Sequence, residues 1–230
     1  MEYGNLTIIG TSHIAWQSLK DVEEAIIAKN PDIIALELDK KRLYGLMHKP
    51  KGRISLYSIR RIGIKGYLFS LIGAWAEKKL GELVGVAPGS EMKKAIILAK
   101  KNKKEIALID QDIEITLKRF SKALTWKEKW RFFIDIIKAV VFRKKEVSFD
   151  LTKVPSKKII SELVEKVRKR YPNVYKVLIE ERNKVMAENL KKIIENNKGR
   201  KILAVVGAGH EEDIIKLIKN STISYFFNQG

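Results

Sequence analysis

Cysteine is absent from the 230 residues, which excludes disulfides, thiolate nucleophiles and cysteine-based zinc or iron–sulfur sites. No apolar run is long enough to span a bilayer. Tyr67 to Ala76 is uncharged but short, and Trp126 to Phe142 is interrupted and flanked by Lys and Arg. The first residues are polar and lead straight into a strand, so no secretory signal is expected and the cytoplasm is the expected compartment. Missing too are G-x-S-x-G, the P-loop, G-x-G-x-x-G and H-E-x-x-H, which sets aside serine-elbow, nucleotide and helical metalloprotease chemistry of those kinds. Acidic side chains are outnumbered 27 to 46 by Lys and Arg, a net charge of +19 with a pI near 9.9.

That charge calls for nucleic acid, an anionic membrane surface or an acidic ligand as partner. The basic residues lie in scattered clusters, Lys40-Lys41-Arg42 and Arg143-Lys144-Lys145 among them. No nucleic-acid motif accompanies them, so a solvated basic surface is preferred to nucleic-acid binding. The Lys-, Ile- and Glu-rich, Gln-poor balance is that of heat-adapted proteins.

What the chain does have is a repeated local setting for two of its three histidines. Leu6 to Ile9 leads into Gly10-Thr11-Ser12-His13, and Leu203 to Val206 leads into Gly207-Ala208-Gly209-His210. Each is a short apolar strand, then Gly-x-x-His, then a helical segment. Active-site groups of open α/β sheets gather just beyond strand carboxyl ends. The two histidines are therefore expected to share one site built from both ends of the chain. They could serve there as metal ligands, as an acid–base pair, or as packed turn residues.

The remaining pattern predicts an α/β fold, with a mainly parallel central sheet, flanking helices and helical insertions around 43–86 and 121–198, as one domain over 1–230. Strands are expected at Leu6–Ile9, Ile33–Leu38, Ile106–Asp110 and Lys201–Val206, and Ser221–Phe227 reads as a possible edge strand. Ser18 with Asp21 predicts an N-cap opening a helix to Lys29.

Glu37 is the sharpest acidic candidate. A carboxylate within Ile33-Ile34-Ala35-Leu36-Glu37-Leu38 costs several kcal/mol unless it is solvated at a sheet edge, paired, protonated or bound to a cation. Its strand is expected beside that of His13. Asp39 follows with the same side-chain direction if the strand continues. Asp110 and Asp112 end the third strand and are also ordinary turn residues. Glu180-Glu181-Arg182-Asn183 reads as the solvated face of a helix, and His48 as a surface residue. Imidazole and carboxylate without thiol suit Zn²⁺, Mn²⁺, Co²⁺ or Fe²⁺.

Taken in order, several segments resemble the TraB/PrgY family over nearly the whole chain. They are Gly10-Thr11-Ser12-His13, Leu36-Glu37-Leu38-Asp39 with Arg42, Gly89-Ser90-Glu91-Met92, Asp110-Gln111-Asp112 with Thr116 and Arg119, Glu181-Arg182-Asn183 with Met186-Ala187, and Val206-Gly207-Ala208-Gly209-His210. That family is related to the Tiki proteins, proposed metal-dependent proteases, and is grouped with erythromycin-esterase-like and ChaN-like proteins. Its bacterial members are associated with shutting down peptide pheromone signalling. The resemblance implies a divalent metal ion and cleavage or sequestration of peptides. It implies His13, Glu37 and His210 as the metal and catalytic core, with Arg182 and Asp112 in support. Gln111 stands where the family often has Arg. Many relatives carry C-terminal membrane helices; here the expectation is peripheral membrane contact at most.

The expected function is thus a metal-dependent hydrolase acting on peptides. Its rivals are a non-catalytic peptide or anion binder using the same cleft, and a peripheral membrane-binding module. The last draws on Trp130, Phe133, Ile137, Val140 and Val141, one face of a helix ringed by Lys and Arg. That face could cover the domain's own core, meet a second copy in a homodimer, or lie on an anionic membrane.

Overall fold

The computed structural model describes residues 1–11, 16–48, 89–128, 130–131, 134–135 and 157–227. Five strands form one sheet: β1 Glu2–Tyr3, β2 Leu6–Thr11, β3 Ile33–Leu36, β4 Glu105–Leu108 and β5 Ile202–Gly207. Their order is β1-β2-β5-β3-β4. β1 pairs antiparallel with β2 across the Gly4-Asn5 turn, where Gly4 takes φ +56°; all other pairs are parallel. The fold is α/β, as the sequence implies.

The last strand in the chain is central in space because of its composition. β5 carries no polar side chain and every residue in it is buried, so it needs cover on both faces and a neighbour on each side. β4, which opens with an exposed Glu105, takes the edge. This corrects one expectation: Glu37's strand does not adjoin that of His13. β5 lies between them and pairs with both. Strands consecutive in sequence are often neighbours, but the crossover from β2 to β3 leaves a place that only β5 is apolar enough to fill.

The helices are α1 Trp16–Lys29, α2 Lys40–Met47, α3 Ser90–Lys101, α4 Ile113–Ala123, α5 Lys157–Arg170, α6 Pro172–Tyr175, α7 Glu181–Asn196 and α8 Glu211–Phe227, with a π-helical turn at Lys176–Glu180 joining α6 to α7. Strand periodicity assigns them to layers. Ile33, Ala35, Ile202, Ala204 and Val206 point to one face, where Met186, Ala187 and Leu190 of α7 and Ile214 and Ile218 of α8 cover them. Ile34, Leu36, Leu203 and Val205 point to the other, against Val22 and Ile26 of α1 and Met92, Ala95 and Ile96 of α3. The sheet is thus sandwiched between helices, and its alternation decides which face each site residue meets.

Two local expectations are also corrected. Ser18 is not a cap; it lies inside α1, which is already helical at Trp16, and is fully buried. Ser221–Phe227 is not an edge strand but the last turns of α8. No Gly or Pro interrupts 211–227, and seven apolar-rich residues alone do not distinguish strand from helix. The segments 49–88 and 136–156, on which much of the expected insertions falls, and the run Tyr67–Ala76 lie outside the described residues.

Part of the basic aromatic helix is described. Trp126 and Trp130 are exposed, at 74% and 60%, and Ile134 also faces out; Phe133, Ile137, Val140 and Val141 lie outside the described residues. Glu128 on the same segment is buried and faces α6, where its carboxylate accepts from the backbone and side-chain amides of Asn173. Burial pushes that carboxyl up, but hydrogen bonds from Asn173 and Thr125 outweigh it and hold the group below the usual carboxylate range. No helix among the described residues is long and apolar enough to cross a membrane.

Candidate functional site

Parallel strands bring their carboxyl ends to one edge of the sheet, and the register here is tight. Thr11 pairs with Gly207 and Leu36 with both Val205 and Leu108. Glu37 continues the ladder for one residue, its N–H donating to the Val205 carbonyl at 3.1 Å. By parity it follows Ile33 and Ala35, so its carboxylate faces the α7–α8 layer. It is only 1% exposed. Solvation at a sheet edge is therefore not what stabilises it. Oε2 accepts from the Gly207 N–H at 2.6 Å, and Oε1 accepts from Arg182 Nη2.

Arg182 comes from α7, just past the π-helical turn. A π turn shifts the helical register, and such turns recur at functional sites. Here three consecutive side chains diverge to different partners. Glu181 takes a two-point contact from Arg119 of α4. Arg182 reaches Glu37 and Asp110, and Asn183 reaches His210. Asp110 receives Arg182 Nε at 3.0 Å and Nη2 at 2.7 Å, Arg42 Nη1 at 2.6 Å, and the Gln111 N–H at 2.7 Å. Glu37, Arg182, Asp110 and Arg42 form a charge-balanced row across the carboxyl ends of β3 and β4. Burial works against the Arg182 charge, but Glu37 and Asp110 override it and keep the guanidinium firmly protonated.

His210 caps the start of α8. Its N–H donates back to the Gly207 carbonyl at 2.9 Å, and its carbonyl accepts from Ile214 at 3.0 Å. The Asn183 amide donates to Asp213 at 3.3 Å, which leaves its oxygen for His210 Nδ1 at 2.6 Å. Nδ1 then carries the proton, and Nε2 turns its lone pair to Arg182 Nη1 at 3.4 Å and stands 3.6 Å from Glu37 Oε1. This network suits the ring with its proton on Nδ1.

The first motif supports the second. Thr11 Oγ1 donates to the Val206 carbonyl at 3.2 Å, and the Ala208 N–H donates to the Thr11 carbonyl at 2.9 Å. A Cβ on Gly10 would stand 2.9 Å from the Ala208 Cα and 2.8 Å from a Glu211 oxygen. Only glycine lets β2 lie that close to the turn that carries His210.

Of the residues picked from sequence, the structure brings Glu37, Arg182 and His210 together. His13 lies outside the described residues. Asp112 serves as N-cap of α4, accepting from the Glu114 N–H, and holds Lys41 through both oxygens. Asp39 caps α2, and Arg42 secures Asp110. Gln111 donates to Thr116 Oγ1. His48 is exposed and stacks on Tyr44.

Asn183 reads from sequence as part of a solvated helical face, and Asp213 is not among the residues singled out there; the structure adds both to the surroundings of His210. A signal for Asn183 was present: Asn183, Met186, Ala187 and Leu190 fall at i, i+3, i+4 and i+7, so the asparagine belongs to the buried face of its helix.

The chain belongs to the TraB/PrgY/gumN family. The family model matches residues 2–223. An uncharacterized protein of Methanocaldococcus jannaschii is 35% identical over 220 residues, 94% of this chain and 53% of the relative. A TraB domain-containing protein of Mus musculus is 23% identical over 234 residues, 91% of this chain and 61% of the relative. Its Homo sapiens counterpart is also 23% identical, with the same coverage. The chain therefore spans between about half and three fifths of these relatives' lengths.

The family resemblance implies a divalent ion, and the donors can be tested for it. Two ligands of one tetrahedral ion at bond lengths near 2.1 Å stand about 3.4 Å apart. Glu37 Oε1 and His210 Nε2 are 3.6 Å apart, and an oxygen–nitrogen pair suits Mn²⁺, Zn²⁺, Co²⁺ or Fe²⁺. The pair has the chemistry and spacing for an ion, and the Arg182 guanidinium now stands against both of its atoms. Among the described residues no group of three or more His, Asp or Glu surrounds one point; the third expected donor, His13, is not among them.

Proposed function

We propose that this TraB-family chain is a hydrolase that cleaves peptide bonds with the help of a divalent ion, held by Glu37 and His210 with His13 as the third donor. One observation carries the proposal. A buried carboxylate and an imidazole oriented by Asn183 bring Glu37 Oε1 and His210 Nε2 within 3.6 Å at the carboxyl edge of a parallel sheet, with Arg182 against both. Peptide as the substrate follows the family resemblance; a cavity of about 190 Å³ lies beside the His210 turn, lined by Val164, Arg168, Tyr175, Gly209, Asp213 and Lys216, and Glu37, Arg182 and His210 are not among its lining residues.

A divalent ion, when bound, would polarise the scissile carbonyl and acidify a water molecule. The protein's own groups do the rest. With Oε1 given to the ion, the other carboxylate oxygen of Glu37, Oε2, which also accepts from the Gly207 N–H, would take the proton from the attacking water and return it to the leaving amine. Asp112 is a weaker candidate for that role, because Lys41 and the α4 terminus already engage both its oxygens. Arg182 Nη1 lies nearest the pair, beside His210 Nε2 and on the Leu178 carbonyl, and would stabilise the developing oxyanion by turning one N–H to it; Arg42 stands farther off, on Asp110. Asn183 keeps the His210 proton on Nδ1, so Nε2 stays a donor of its lone pair.

The test is cleavage of a mixed peptide pool, followed by mass spectrometry, with added Mn²⁺ or Zn²⁺ and with chelator. Cleavage that appears with metal and stops with chelator is expected. Binding of the same peptides without turnover in any metal would favour the non-catalytic binder instead.

We also propose that the chain works in the cytoplasm and that the helix bearing Trp126 and Trp130 meets a second copy, since both indoles are exposed. The substitution Trp130→Glu is expected to shift the sedimenting species from dimer to monomer. A wild-type chain that sediments as monomer and binds vesicles of anionic lipid would assign the helix to membranes.

A further inference from the structure

Asp213 enters no step of the chemistry above, yet it stands two hydrogen bonds from the His210 ring. It is the third residue of α8, whose cap is His210: the Ile214 N–H donates to the His210 carbonyl at 3.0 Å. An acid at that position ordinarily turns back to the backbone N–H of the cap residue. Here that N–H is already given to the Gly207 carbonyl at 2.9 Å. The Asp213 carboxylate instead reaches across to α7, where Oδ2 accepts from Asn183 Nδ2 at 3.3 Å. Asn183 is 2% exposed, so it cannot trade its protein partners for water.

The direction of that amide is a choice between two. One end of the Asn183 side chain donates and the other accepts, and a half-turn exchanges them. His210 Nδ1 does not decide the matter, because an imidazole nitrogen serves in either role. Asp213 does, because a carboxylate offers only acceptors. The NH₂ end therefore faces Asp213, the oxygen faces His210 Nδ1 at 2.6 Å, and the ring proton is drawn to Nδ1. Nε2 keeps its lone pair on the side of Arg182 Nη1, 3.4 Å away, and Glu37 Oε1, 3.6 Å away. With the amide reversed, the proton would move to Nε2, and the ring would present a donor to the site in place of an acceptor.

We propose that Asp213 is a positioning residue: its carboxylate fixes the Asn183 amide and, through it, sets which ring nitrogen of His210 carries the proton. It touches no reacting atom. Only the reading of His210 as a site residue is carried over from the proposed function, not the ion, since an imidazole acting as a base needs the same free Nε2 that a ligand would. Asp213 also lines the cavity of about 190 Å³. The outer end of this hydrogen-bond chain is thus reached from a different side than Glu37 and Arg182, which do not line it.

The experiment reads the imidazoles directly, by ¹⁵N NMR of the full chain labelled at histidine. It is run without added metal at about pH 8.5, where an ordinary imidazole is neutral. His210→Gln assigns the signals against those of His13 and His48. Wild type is expected to show His210 protonated on Nδ1. Asp213→Asn keeps the shape but offers an amide that can itself donate, which frees the Asn183 amide to turn. A hydrogen bond to a charged group is about twice as strong as a neutral one, so the excess of the Nδ1-protonated ring is expected to fall about tenfold. Asp213→Ala removes the acceptor outright, is expected to act in the same direction, and carries the test if Asp213→Asn does not fold. A folded Asp213→Asn or Asp213→Ala whose His210 keeps the wild-type tautomer overturns the proposal, as does a wild-type ring protonated on Nε2. Cleavage of the peptide pool decides the hydrolase reading separately, because neither spectrum depends on turnover.

Discussion

Arg182→Leu is expected to destabilise the protein by about 3–5 kcal/mol, among the largest effects of any single substitution at the site. The reason lies in what remains. Glu37 and the Asp110 side chain are each about 1% exposed, and Arg182 bonds to both. Leucine keeps much of the volume but removes the charge that offsets two buried carboxylates. Arg42 still reaches Asp110, so Glu37 bears most of the loss. With its cation gone, burial raises the Glu37 pKa in the folded state of the variant. A raised folded pKa favours folding at low pH and loses that contribution as pH rises, so the deficit relative to wild type should be largest near pH 7 and shrink toward pH 4. Urea denaturation at both pH values checks this. A loss below about 1 kcal/mol at pH 7, the level of an exposed ion pair, would mean that the network is solvated and contributes little.

Glu37→Gln is the second large effect, on rate more than on stability. Glutamine is nearly isosteric, and its carbonyl oxygen can still accept from the Gly207 N–H that now binds Oε2. It cannot take a proton from water at neutral pH, and it is a poor ligand for a cation. Metal-supported peptide cleavage is expected to fall by about 10²- to 10⁴-fold, the usual contribution of a positioned base. The far-ultraviolet circular dichroism should match wild type. A variant with wild-type metal content and turnover would reduce Glu37 to a packed residue of the network.

Much of this was legible in the chain. The parallel strands and the helical cover followed from apolar runs and their flanking glycines, whereas Glu37, expected beside the strand of His13, lies instead against the Gly207–His210 motif. Sheet order did not. Nothing in the local pattern of Ile33–Leu36 says that Ile202–Gly207 inserts beside it; that is set by which strand can be covered on both faces, a property of the assembled layers. The same limit hid Arg182 from the local pattern, and only the family resemblance pointed to it. Within Glu180-Glu181-Arg182-Asn183 a charged run reads as solvated, and the π-helical turn at Lys176–Glu180, which sends neighbouring side chains to different partners, has no simple periodicity. Asp112 shows the converse. A carboxylate after a strand reads as a site residue, yet helix capping uses the same side chain at the same place. The Ser18 cap failed for a related reason: serine is favoured before a helix, but it is also small enough to be buried inside one.

The most direct test of Glu37 and His210 as one site is a double-mutant cycle on the rate of metal-supported peptide cleavage, using wild type, Glu37→Gln, His210→Ala and the double variant. Groups that act as a unit lose nearly everything with the first substitution. The expected result is that the double variant is about as slow as the slower single variant, a coupling of more than about 2 kcal/mol. If the two losses instead multiply, so that the double variant is slower by the product of the single effects, Glu37 and His210 work independently and the shared site is contradicted.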